Sequence, residues 1–195
     1  MQATLTVAEQ QTLLRLARDA IENGVRGEKL SALDKASMSS NLLEPGASFI
    51  TLTIRGELRG CIGALEARQS LAQDVREHAV AAALEDPRFP PVREDELNRI
   101  QIEVSRLTRP IPLVYKDADD LLSKLRPHVD GVILQDGIRR ATFLPQVWEK
   151  IPDPVEFLNN LCYKMGVSDH AWRVKHLEVL VYQVEEFHES RNNPI

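Results

Sequence analysis

Two turn-forming triplets, Arg55-Gly56-Glu57 and Gln135-Asp136-Gly137, each lie between short runs of β-forming residues. Such spacing commits the flanking strands to antiparallel pairing, because a connection this short cannot carry a parallel crossover. The flanking runs are Ser48 to Ile54 with Leu58 to Ile62, and Gly131 to Leu134 with Ile138 to Phe143. Ile100 to Leu107 alternates apolar and polar residues as a half-buried strand does, and Leu177 to Phe187 reads as one long closing strand. Helices separate these runs. Thr6 and Glu9 form a capping box before the stripe Leu13, Leu16, Ala17, Ala20 and Ile21, with Gly24 as the stop. Ser70 and Gln73 open a second helix that ends at Asp86-Pro87. Asp153, Pro154 and Glu156 open a third that ends at Gly166, and Asp117 to Leu125 is a shorter one ended by Pro127. The pattern is α+β with a largely antiparallel sheet and flanking helices, not the strict βαβ alternation of a dinucleotide-binding fold.

At 195 residues the chain can bury a sizeable core as one domain. The irregular joints are residues 24–46, and 109–112, where two prolines interrupt pairing. The 24 basic against 29 acidic residues, a net charge of -5 and 5% aromatic content argue against a nucleic-acid partner, which needs concentrated positive charge and stacking platforms. Met1 to Thr6 has no basic stretch before an apolar one, and no apolar run reaches the ~20 residues that span a bilayer. The expectation is a cytoplasmic protein with no membrane partner. Two cysteines cannot make a four-cysteine zinc site, and the five histidines show no metal-ligand spacing, so neither metal nor cofactor is expected.

The stretch Leu58-Arg59-Gly60-Cys61-Ile62-Gly63 places two glycines inside a strand, which marks a bulge or a close backbone approach. A three-residue loop at Arg55 to Glu57 pairs Ile54 with Leu58 and Ile50 with Ile62, keeping the apolar set on one face. It gathers Thr51, Thr53, Arg59 and Cys61 on the other. A guanidinium beside a thiol stabilises the thiolate, the form that attacks electrophiles, while Gly60 and Gly63 let a ligand approach the backbone. These residues therefore predict a site for a small anionic ligand, with Cys61 as nucleophile and Arg59 as anion clamp. The alternative is that Cys61 is a packed hydrophobe and Arg59 a structural ion-pair partner. Arg88, in Asp86-Pro87-Arg88-Phe89, is a candidate second clamp, and His78 a candidate base for Cys61.

Leu58 to Gly63 resembles the signature of the AMMECR domain family, also called protein A of the AmmeMemoRadiSam system. The resemblance continues in order through Phe49-Ile50-Thr51-Leu52, Asp86 to Phe89, Ile102-Glu103-Val104-Ser105, Asp130-Gly131-Val132, Ala141 to Trp148, and Phe157-Leu158 to Leu161-Cys162 and Lys164. It spans about Thr6 to Glu189 of a single 1–195 domain. What it implies is an α+β fold of two unequal lobes forming a cleft near the six-residue motif. It also implies a genomic association with a Memo-type and a radical-SAM protein. A non-catalytic module that docks such a partner is thus the alternative function.

Overall fold

The computed structural model describes residues 4–189. Residues 1–3 of the Met1 to Thr6 leader reading, and the last six of the 1–195 domain, lie outside the described residues. In chain order the elements are α1 (Val7–Val25), α2 (Ser40–Leu43), β1 (Pro45–Ile54), β2 (Glu57–Gly63), β3 (Gln69–Ser70), α3 (Leu71–Leu84), β4 (Ile100–Leu107), β5 (Ile111–Pro112), α4 (Ala118–Lys124), β6 (Gly131–Asp136), β7 (Arg139–Phe143), α5 (Pro154–Met165), α6 (Ala171–Val174), β8 (Glu178–Tyr182) and β9 (Val184–His188). Short 3-10 turns lie at Lys35–Ser37, Glu94–Arg99 and Pro145–Glu149. The chain is α+β, and every strand pair with a defined register is antiparallel. No helix among the described residues is long and apolar enough to cross a membrane.

Two compact units divide the chain, residues 1–107 with 185–195, and residues 108–184. The division falls beside the proline-bearing segment at 109–112, whereas 24–46 lies inside the first unit. The first unit holds a sheet in the order β2-β1-β4-β9, with β3 also on β1. Ile50 and Leu52 of β1, Ile102 and Val104 of β4, and Phe187 of β9 form one core with α1 and α3. Each such buried aliphatic contributes roughly 1.5–3 kcal/mol. The alternate residues, Thr51, Thr53, Gln101 and Glu103, are half-buried on the opposite face. The second unit holds the sheet β5-β8-β6-β7. Its core stacks Trp148 on Phe157, with ring centroids 3.6 Å apart, and buries Cys162, whose thiol burial pushes up.

The capping signals are realised. Thr6 and Glu9 bond reciprocally, the Ser70 hydroxyl accepts from the Gln73 amide, and Gly166 takes a left-handed φ of 77° after α5. The first helix, however, continues past Gly24 to Val25. A Cβ at Gly24 would stand 3.3 Å from Val80 Cγ1, so this glycine allows α1 to approach α3 rather than stopping the helix. The single closing strand expected over Leu177 to Phe187 is two strands in two sheets. Gln183 breaks it: its amide donates to Thr108 Oγ1 at 2.8 Å, and its carbonyl accepts from the Thr108 amide at 2.8 Å. These bonds satisfy the backbone where the chain changes sheets.

Both hairpins turn through two residues, not three. Arg55 and Gly56 both have positive φ, 55° and 85°, which matches the right-handed twist of the flanking strands. Ile54 therefore faces Glu57, and Thr53 faces Leu58. The register then slips by one residue, so that Leu52 faces Gly60, Thr51 faces Cys61 and Ile50 faces Ile62. Arg59 is the extra residue. The expected Ile50–Ile62 pair is thus present and the expected Ile54–Leu58 pair is not, because the bulge supplies the shift assigned to a longer loop. In the second hairpin Asp136 faces Arg139, leaving Gly137 and a fully exposed Ile138 at the tip.

The Gly60 position is closed by α3. A Cβ there would lie 2.1 Å from the Ala82 carbonyl oxygen, a backbone atom that cannot swing aside. Gly60→Ala is expected to cost more than about 2 kcal/mol through overpacking. Gly56→Ala, where the added methyl meets nothing but φ is 85°, is expected to cost about 1 kcal/mol. Urea unfolding of both variants tests the order.

Candidate functional site around Cys61

β2 is an edge strand, and at an edge each outward backbone group needs a partner. At Cys61 that partner is the loop after α3. The Cys61 amide donates to Asp86 Oδ2 at 2.8 Å, and its carbonyl accepts from Arg88 Nη2 at 3.1 Å. Asp86 and Arg88 thus stand in for a neighbouring strand. They also bind each other: Arg88 Nε donates to Asp86 Oδ1 at 2.9 Å and Nη2 to Oδ2 at 2.7 Å, and the Arg88 amide donates to Oδ1 at 3.1 Å. Asp86 is buried. Its bonds from the Arg88 side chain, then from the Cys61 and Arg88 amides, hold its carboxyl far below the usual carboxylate range against the opposing effect of burial.

The Cys61 sulfur is half-buried on the face opposite the core and accepts from Thr51 Oγ1 at 3.3 Å. The Arg88 guanidinium is its second neighbour. That guanidinium donates to the Cys61 carbonyl, and its pKa is raised first by Asp86. The Arg88 side chain is 54% exposed. A thiol is therefore set between a hydroxyl donor and a permanent cation that also faces solvent.

The family model described as AMMECR1 matches residues 14–187. This chain belongs to the AMMECR1 family. Relatives include a protein of Methanothermobacter thermautotrophicus, 39% identical over 96% of this chain and 98% of its own length. Protein MK0488 of Methanopyrus kandleri is 36% identical over 95% of this chain and 91% of its own. The crystal structure of uncharacterized protein PH0010 from Pyrococcus horikoshii has the same fold, with a TM-score of 0.78 at 30% identity, covering 95% of this chain and 94% of that one.

In this AMMECR1 chain the predicted site residues separate into two groups. Cys61, Thr51 and Arg88 come together. Arg59 does not join them. Its Nε and Nη2 donate to the two Glu96 oxygens at 2.9 and 3.0 Å, and Nη1 and Nη2 donate to the carbonyls of Pro90 and Pro91 at 2.9 and 3.3 Å. The bulge turns this side chain toward the segment after α3, and only 13% of it is exposed. The guanidinium beside the thiol is that of Arg88. Gly60 packs on Ala82, and a Cβ at Gly63 would meet the Phe49 ring and the Ser48 carbonyl at 2.4 Å. Thr53 faces Leu58 and Gln101 and lines a hollow of about 390 Å³ with Glu103 and His188.

His78 belongs to a different cluster. Its Nδ1 lies 3.1 Å from Asp74 Oδ2, which also accepts from Ser48 Oγ at 2.7 Å, and no bond joins it to Cys61 among the described residues. It lines a hollow of about 470 Å³ with Ala64, Leu65, Glu66, Arg68 and Gln69. Among the described residues no three His, Cys, Asp or Glu side chains converge to hold a metal ion. Sequence reasoning missed Asp86 as the cap of the β2 edge and Glu96 as the partner of Arg59. Asp86 carried a signal, an acid and a base two residues apart across a proline. Glu96 carried none.

Two outcomes test this arrangement. Asp86→Ala removes the partner of the Cys61 amide and of Arg88, and is expected to destabilise by about 3 kcal/mol in urea unfolding near neutral pH. Because the folded pKa of Asp86 is depressed, that contribution is present above the unfolded carboxylate value and is lost as pH falls through the folded one. His78 has the opposite sign. The Asp74 bond raises its pKa against the lowering effect of burial. Its contribution is full below the unfolded histidine value of about 6.5 and fades as pH rises through the raised folded value. The stability difference between wild type and His78→Gln is expected to shrink from about pH 6 to about pH 9.

Proposed function

We propose that the first unit binds a small anionic ligand at the Cys61 sulfur, with Arg88 holding the negative group and the thiol positioned to attack an electrophilic atom of the ligand. The observation that supports this most directly is the half-exposed Arg88 guanidinium, fixed by Asp86 and bonded to the Cys61 carbonyl. A guanidinium oriented in this way meets a carboxylate or phosphate without first having to be ordered. Thr51 Oγ1 orients the sulfur from the other side. The role first assigned to Arg59 passes to Arg88.

A second reading, docking of a Memo-type or radical-SAM partner, draws on the second unit. Ile138, Tyr163 and Val174 are all exposed there, on segments tied by Lys175 to Asp136 and by Arg139 Nη1 to the Gly166 carbonyl at 3.0 Å. Large apolar side chains grouped on a surface suit a protein interface.

Charge-graded methanethiosulfonate reagents test the first reading. The Cys61 sulfur bonds to the reagent's sulfenyl sulfur, the S–SO2 bond breaks, and methanesulfinate leaves with the electron pair. Anion selection by Arg88 is expected to speed the sulfonatoethyl reagent at Cys61 relative to the neutral methyl reagent. Arg88→Gln should lower that ratio about three- to tenfold, and Arg88→Lys should retain most of it. Mass spectrometry reads the site, with buried Cys162 as the internal reference. An unchanged ratio in Arg88→Gln would overturn the reading.

A further inference from the structure

Three strands align side chains of opposite chemistry. Cys61 on β2 faces Thr51 on β1, and Thr51 in turn faces Glu103 on β4. Residues opposite one another on neighbouring strands project to the same face, so sulfur, hydroxyl and carboxyl form one row. Strand spacing sets the Cys61 and Glu103 backbones roughly 10 Å apart, and Arg88 lies at the β2 edge beside the sulfur. The row therefore has a cationic end and an acidic end, with the thiol between them.

Glu103 is half-buried and accepts no hydrogen bond among the described residues. It lines the hollow of about 390 Å³ with Thr53, Gln101, His188 and Glu189. A carboxylate drawn partly out of water without a donor carries a desolvation cost that a ligand's own donor offsets. We propose that Glu103 receives the ammonium end of the ligand whose anionic end lies at Arg88, so that the Cys61 site selects small zwitterions whose charged ends stand several bonds apart over simple anions. This rests on the reading of Cys61 and Arg88 as a ligand site and supplies that site's opposite pole.

The titratable groups acting on Glu103 are Glu186 and His188 of β9, with Glu189, ion-paired to Arg18, lining the same hollow, while Thr51 faces it from β1 and carries no charge. Burial first, and repulsion from Glu186 second, hold the Glu103 carboxyl above the ordinary range, with His188 acting the other way. The ionised form attracts ammonium. Preference for a cationic reagent is therefore present near neutral pH and is lost as pH falls through the raised Glu103 value.

The test compares modification of Cys61 by 2-aminoethyl methanethiosulfonate and by the neutral methyl reagent, whose ratio cancels any change in the sulfur's own reactivity. Glu103→Gln is expected to lower the ratio about three- to tenfold near neutral pH. Glu103→Asp should keep most of it, and the wild-type ratio should fall on acidification. Glu186→Gln, which removes the repulsion, should move that fall to lower pH even if the Glu103 variants do not fold. A ratio unaltered in Glu103→Gln, or a pH midpoint unmoved in Glu186→Gln, overturns the zwitterion proposal. Failure of the underlying anion site is read separately, in the sulfonatoethyl ratio of Arg88→Gln.

Discussion

The Asp86 carboxylate is the hub on which the Cys61 region depends. One buried group accepts from the Cys61 amide, from the Arg88 amide and from the Arg88 guanidinium. Each bond has a different consequence. The first satisfies a sheet edge, the second shapes the turn after α3, and the third fixes a cation beside a thiol. Without Asp86 the guanidinium would be a mobile surface side chain, as long basic side chains on surfaces usually are. With it, Arg88 is anchored through its Nε and Nη2 while more than half of its side chain still meets solvent. The same contact explains why the segments Leu58 to Gly63 and Asp86 to Phe89 belong together: one supplies an open edge, the other closes it.

The bulge at Arg59 divides the labour between two arginines, one on β2 and one on the loop after α3. In a regular ladder Arg59 and Cys61, two residues apart, would share a face. The extra residue turns it toward Glu96 and the carbonyls of Pro90 and Pro91, where four hydrogen bonds pin the chain that follows α3. Arg59 thereby holds the segment on which Arg88 is carried. Gly60 makes this possible from the other side, since α3 can lie against β2 only where no Cβ intervenes. The hairpin, the helix and the proline loop are mutually consistent in the sense that each local choice supports the others.

How much of this was legible in the sequence depends on the range of the interactions. Local ones were: the capping box at Thr6, the Ser70 hydroxyl cap (whose Gln73 side chain turns to Glu77 instead of completing a box), the left-handed stop at Gly166 and the antiparallel hairpins all rest on residues within a few positions of one another. The turn length at Arg55 was not, because a two-residue turn plus a bulge and a three-residue loop leave the same residues paired at Ile50 and Ile62. Only a contact far along the chain, Arg59 with Glu96, decides between them. The split of Leu177 to Phe187 was hidden for a similar reason. Its residue types suit a strand throughout, and the break at Gln183 is set by Thr108, a partner distant in sequence.

At the site, residue type was legible and pairing was not. Cysteine, arginine and threonine in a glycine-broken strand pointed to the Cys61 sulfur, yet the arginine placed beside it comes from a loop after the next helix. Two guanidiniums of equal formal charge thus have unlike electrostatic meaning. Arg59 is neutralised by Glu96 and enclosed, so it contributes to holding the chain. Arg88 is neutralised by Asp86 on one side only and keeps a solvent-facing side, so its remaining field acts on whatever approaches the sulfur. In a chain of net charge -5, an exposed guanidinium already paired with a carboxylate attracts over a short range only.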